Sequence, residues 1–129
     1  MRIQASPYLF KKTLCLGSMP HGPACHSPLS RRQEASMHSA ASFNTVWVID
    51  SPNPNDRLER QGEPVRAGEP LLIRHCQTQQ YLASDKSSFR NDFGNEFEVM
   101  AHSFASANKT QNLFLEKQGA VTVDVPTRF

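Results

Sequence analysis

Two groups of side chains in this chain are of the types that nucleophilic or metal chemistry uses. His75-Cys76 sets an imidazole beside a thiol, the pairing that activates a cysteine nucleophile. Adjacency argues against that use, because neighbours in a strand point to opposite faces and the base then misses the thiol. Cys15, His21, Cys25 and His26 supply two thiolates and two imidazoles, a zinc set by residue type. Their spacing matches no compact finger: the gap between the cysteines is too long, and His21 falls inside it. A Gly-rich phosphate loop, a paired-acid constellation and a nucleophile elbow are all absent. The expectation is therefore a non-enzyme with no catalytic residue, no cofactor, no metal and no small-molecule substrate.

The elements around these residues are short strands. Leu71, Ile73 and His75 alternate with Leu72, Arg74 and Cys76, and Phe97, Val99 and Ala101 alternate with Glu98, Met100 and His102. Strands are expected over 35–38, 45–49, 71–76, 80–83, 97–102, 113–116 and 120–123, with residues 87–94 as a loop. The connections carry turn chemistry at Pro52 to Asp56, Gln61-Gly62, Ala67-Gly68 and Gln118-Gly119, where glycine supplies the positive φ of tight bends. No segment has a helical period, so the fold class is all-β, a small barrel or trefoil.

Charge divides the chain unevenly. Residues 1–33 carry five basic groups and no acid, whereas residues 34–129 carry nine basic groups and twelve acids. The first 28 residues read as a flexible basic arm or an altered N-terminal segment, interrupted by Pro20, Gly22, Pro23 and Pro28. They have neither the sustained period of a transit helix nor the apolar run of a secretory signal, which Lys11-Lys12 cuts short. Three cysteines in no scaffold spacing suit a reducing compartment, and Asn108-Lys109-Thr110 reads as a turn rather than a glycosylation site. No apolar run is long enough for a membrane helix, and basic groups after residue 33 are interspersed with acids, so neither membrane nor nucleic acid is an expected partner.

A degenerate internal repeat runs through the sequence. Arg32 to His38 stands for Glu96 to His102, with Glu34 opposite Glu98; Tyr8-Leu9 stands for Tyr81-Leu82. Each unit closes with an asparagine and an aromatic strand, Asn44 to Ile49 and Asn112 to Leu115. Trp47, with Val46, Val48 and Ile49 beside it, reads as a core anchor. Phe89, Phe93 and Phe104 sit in polar, loop-like surroundings and are the candidate partner contacts.

His75, Thr78, Leu82 and Glu98-Val99, with Asn44 and Trp47 ahead of them, resemble the MIR repeat, a β-trefoil unit. A closer resemblance, over about 100 of the 129 residues, is to the C-terminal half of the cilia- and flagella-associated protein 161 family. Pro52-Asn53-Pro54-Asn55-Asp56-Arg57, Arg74-His75-Cys76-Gln77-Thr78, Asn91-Asp92-Phe93-Gly94 and Asn108 to Leu113 carry it. The resemblance implies an MIR-like β-trefoil over 29–129, with Asn44, Trp47, His75, Thr78, Leu82 and Glu98 as structural repeat positions. It further implies a microtubule inner protein of the axonemal doublet in the cytoskeleton of motile cilia and flagella, partnered by tubulin and neighbouring doublet proteins. Family members carry an N-terminal region with no counterpart here, so an incomplete trefoil with exposed strand edges is expected. A sugar- or ligand-binding MIR-type module is the alternative, and a thiol or metal enzyme the third class.

Overall fold

The structure is a computed structural model that describes residues 1–5, 13–66, 68–104 and 114–115. Its elements are β1 (Cys15–Gly17), β2 (Gln33–Glu34), β3 (Ser36–His38), β4 (Trp47–Asp50), β5 (Pro70–His75), β6 (Leu82–Asn91), β7 (Gly94–Ala101) and β8 (Phe114–Leu115). Single 3-10 turns cover Phe43–Thr45 and Pro54–Asp56, and no α-helix occurs among the described residues. The fold class is all-β, as the period-2 patterning predicts.

The strands form three small antiparallel sheets. β1 pairs with β3; β2, β7 and β6 form a second sheet in that order; β4, β5 and β8 form a third. Trp47 lies opposite His75 and Ile49 opposite Ile73 in the third sheet. The two segments read as equivalent closing strands thus flank the same strand, β5, one on each side. A bridge from Arg74 to Tyr81 ties this sheet to the start of β6.

Two apolar clusters sit between the sheets. Trp47, Leu82 and Ala101 form one, with Ile3, Leu16 and Ala35 packed around it; Ile49, Val65 and Leu71 form the other. Ile73 touches both clusters and joins them.

The described residues of 1–28, 1–5 and 13–28, are paired and packed where a free arm was one expectation. Cys15–Gly17 pairs with Ser36–His38, Cys15 is buried, and Ile3 and Leu16 pack on the Trp47 cluster. Main-chain bonds lock the segment in: Trp47 N–H donates to Met1 O at 2.8 Å, and Leu16 N–H to Ile3 O at 2.8 Å. Gly17 is required by close approach, since a Cβ there would stand 2.9 Å from the carbonyl oxygen of Asn44. The apolar alternation of Leu14, Leu16 and Ile3 is too short to register as a strand signal, and pairing with β3 decides it. Lys11, Lys12, Tyr8 and Leu9 lie outside the described residues.

A second difference concerns residues 87–94. β6 and β7 run on through this region as one hairpin, closed by Asp92-Phe93 between paired Asn91 and Gly94. Asn91 Oδ1 accepts the Phe93 N–H at 2.8 Å, and Gly94 takes φ 114, so local turn chemistry sets the register. The polar run on β6 hides the strand because both its faces meet water there. Gly62 and Gly68 adopt φ 85 and 80, as their turns demand. The strand expected over 120–123 and the Asn108 turn lie outside the described residues.

Candidate functional site

Of the candidate repeat positions, Trp47, His75, Thr78 and Leu82 gather at the base of the β6–β7 hairpin, and Asn44 joins them through its main-chain carbonyl. Trp47 is fully buried and its Nε1–H donates to the carbonyl of Leu16 at 2.8 Å, which satisfies the indole's polar edge inside the core. Its ring stands 4.8 Å from that of His75, tilted by 54°. Leu82 and Ala101 close the cluster from the paired strands β6 and β7.

His75 is also fully buried, and every polar atom of its ring is matched. Nε2 lies 2.8 Å from the carbonyl of Asn44 and Nδ1 lies 2.8 Å from Thr78 Oγ1. A carbonyl only accepts, so Nε2 carries a proton, and in the neutral ring Thr78 donates to Nδ1. Thr78 Oγ1 accepts in turn from Gln33 Nε2 at 2.8 Å, and the second Gln33 proton goes to Ser18 Oγ at 2.7 Å. Ser18 donates its N–H to Asn44 O at 3.0 Å and its hydroxyl to Glu34 O. The tight turn after β5 positions Thr78 under the ring: Gln79 N–H donates to His75 O and His75 N–H to Gln80 O, both at 2.8 Å. Each proton in this chain has one acceptor, so the network fixes β1, β2, β5 and the Asn44 turn relative to one another. Gln33 and Ser18 were not foreseen, because a polar residue gives no pattern signal that it faces inward.

Glu98 is 4% exposed, an unusual position for a carboxylate. Its two oxygens accept the backbone N–H of Leu29 at 2.8 Å and of Ser30 at 3.0 Å. Burial pushes this carboxyl up, but the Ser30 and Leu29 hydrogen bonds and the Arg32 charge outweigh it and hold the group below its ordinary value. Glu98 and Met100 therefore face inward, while Phe97 and Val99 on the alternate face are 64% and 44% exposed.

The three candidate contact aromatics separate. Phe93, at the hairpin tip, is 92% exposed and Phe89 is 42% exposed. Phe104 is engaged within the chain, with the Arg32 guanidinium 4.7 Å above its ring and the His102 ring edge-on at 4.9 Å. Burial and the Arg32 charge hold the His102 imidazole below its ordinary pKa.

The thiols are not assembled for chemistry. His75 spends both ring nitrogens on Thr78 and Asn44, which leaves none for Cys76. Among the described residues, no group of three or more His, Cys, Asp and Glu side chains is arranged to hold a metal ion. Burial, with Glu34 beside it, pushes the Cys25 thiol up, away from the thiolate that zinc requires. No helix among the described residues is long and apolar enough to cross a membrane.

Residues 21–114 match the cilia- and flagella-associated protein 161-like domain. Similar relatives are the cilia- and flagella-associated protein 161 of Danio rerio, 37% identical over 64% of this chain and 28% of its own length, and that of Bos taurus, 34% identical over 74% and 31%. The protein of the same name from Mus musculus is 35% identical over 61% of this chain and 26% of its own. The chain spans less than a third of the length of these relatives. It belongs to the cilia- and flagella-associated protein 161 family.

Proposed function

We propose that this chain is a non-catalytic structural component of the axonemal doublet microtubule, a microtubule inner protein that supports the motility of cilia and flagella. Residues 29–129 are assigned an MIR-like β-trefoil architecture, with Asn44, Trp47, His75, Thr78, Leu82 and Glu98 as the positions that hold its repeats together. Tubulin and neighbouring doublet proteins are the partners in this reading.

The observation that carries it is the division of labour within one hairpin of a family named for its association with cilia and flagella. The base of the hairpin spends its polar groups on internal bonds, which suits a scaffold. Its outer half carries Phe93, Phe97, Phe89 and Val99 exposed, an apolar surface of the kind that partner proteins cover.

The test is imaging of the tagged chain in a motile ciliated cell, followed by detergent and high-salt extraction of the axonemes. Retention along the axoneme is the expected result, with a double Phe93→Ser, Phe97→Ser variant lost from it while remaining folded. A diffuse or fully extracted signal from the unmodified chain overturns the assignment.

A further inference from the structure

A pocket of about 270 Å³ lies where the loop 27–32 meets the start of β2 and the end of β7, lined by His21, Arg31, Arg32, Gln33, Gln80 and His102. Two guanidinium groups and two imidazoles face it, and no acid is among its lining. A tetrahedral anion fits there together with several waters, each water taking about 30 Å³.

The loop that presents the arginines is braced at every main-chain donor. Ser27 N–H donates to Arg32 O at 2.8 Å, Arg31 N–H to Ser27 O at 3.1 Å and Arg32 N–H to Ser30 Oγ at 3.3 Å. Leu29 and Ser30 give theirs to Glu98, and the Arg31 carbonyl accepts from His21 Nε2 at 2.7 Å. These bonds hold Arg31 at φ 58, a left-handed backbone that costs a residue with a side chain some strain. The two guanidinium groups then differ. Arg32 lies over the Phe104 ring and acts on the Glu98 charge, whereas Arg31 meets no carboxylate among the described residues.

Gln33 supplies an independent observation. Thr78 hands its proton to His75 Nδ1 and Ser18 hands its own to Glu34 O, so both hydroxyls accept from Gln33 Nε2 and spend both its protons. The nitrogen end of the amide is thereby fixed. Oε1 is left with no donor among the described residues, on a residue 7% exposed. A buried acceptor of this kind calls for a proton. Gln80 is its complement: Oε1 accepts the Ser103 N–H at 3.0 Å, which leaves the donor Nε2 as the atom it offers.

Cationic and amide donors grouped around one buried acceptor suit an oxyanion that still carries a proton. We propose that this pocket binds hydrogenphosphate, with its charged oxygens on Arg31 and Gln80 and its O–H donating to Gln33 Oε1. Sulfate has the same shape and no proton, so it sets an oxygen lone pair against Oε1. A phosphate ester has also lost its last proton above its second pKa, about 6, whereas free phosphate retains one. The assignment does not depend on the axonemal reading.

The experiment is calorimetric titration of the full chain, at about pH 8 and constant ionic strength, with inorganic phosphate, sulfate and methyl phosphate, the last standing in for a phosphorylated side chain. Phosphate is expected to bind saturably and about tenfold tighter than either of the others. Arg31→Gln, at an exposed side chain, should weaken phosphate binding about tenfold. Gln33→Met should abolish the preference for phosphate over sulfate; the comparison of anions on the unaltered chain decides the proposal even where that variant does not fold. Absence of saturable binding, undiminished binding by Arg31→Gln, or equal binding of phosphate and sulfate overturns it. Methyl phosphate binding as tightly as phosphate overturns it too, and points to an esterified phosphoryl group as the ligand.

Discussion

The two halves of the β6–β7 hairpin, joined across a shift of register between Ser84 and Ser88, have opposite fates. At the base, Leu82 and Ala101 face the Trp47 cluster while Glu98 and Met100 on the other face are covered by residues 29–32, so both sides of β7 are buried. Toward the tip, Phe97 and Val99 continue the face that Ala101 begins, yet nothing in the described chain covers them. A strand's period fixes which residues share a face; what lies against that face is decided elsewhere. The comparison separates a rigid polar-and-aromatic base, which holds the chain together, from an apolar outer half suited to contact with partners.

The sharpest way to break this division is at the base. Trp47→Ala should cost about 3–5 kcal/mol of stability, measured by urea denaturation, because it empties a fully buried site and strips His75 of its ring neighbour. A cost below about 1 kcal/mol would show that the base is loosely packed and the distinction unfounded.

Glu98→Gln should cost about 1.5–3 kcal/mol, since a carboxylate offers both backbone amides an acceptor and a carboxamide offers one acceptor and one clashing donor. Its pH signature is separate. The folded state holds the Glu98 carboxyl below its unfolded value, so the stabilisation is present above the unfolded value and is lost as pH falls through the lowered folded one. His102 acts in the same direction at higher pH: its lowered folded value favours the neutral ring, and stability declines as pH falls below the ordinary histidine range. Denaturation midpoints against pH should therefore fall in two acid steps, and Glu98→Gln should shrink only the lower one, to which Glu69 beside Arg60 also contributes.

Thr78→Val tests the His75 network with little change in volume. It leaves Nδ1 of His75 and one proton of Gln33 without partners, at a cost of about 1–3 kcal/mol. Equal stability of the variant, with unchanged His75 ring signals by NMR, would show that the network is dispensable.

The smallest effect belongs to the tip. Phe93→Ala should change stability by less than about 0.5 kcal/mol, because a side chain 92% exposed has little burial to lose. If it also leaves axonemal retention unaltered, the outer half loses its role as a contact surface.

Legibility followed the same division. The strands over 71–76 and 97–102 were readable because apolar and polar residues alternate there, and the observed β5 and β7 agree to within three residues at either end. Trp47 was readable as a core residue because a lone tryptophan among Val46, Val48 and Ile49 has nowhere else to go. The pairing of Cys15–Gly17 with β3 is not legible locally, because charge and proline content there speak for an arm while the strand depends on a segment some twenty residues away. The outer half of β6 was misread for a related reason: Ser84, Ser87 and Ser88 carry no apolar face, and only the turn at Asn91 to Gly94 commits them to strand.

By itself the sequence determined the all-β class, the glycine turns at Gly62 and Gly68, the aromatic anchor at Trp47 and the family resemblance, because each is a property of local residue type and spacing. Only the tertiary structure decided that Glu98 points inward while Phe97 points outward, and that Gln33 and Ser18 complete the ring of bonds around His75. A period-2 pattern offers two faces and is silent on which is covered, and the choice is made where a distant segment, Leu29-Ser30, brings two amide protons that only a carboxylate can satisfy together.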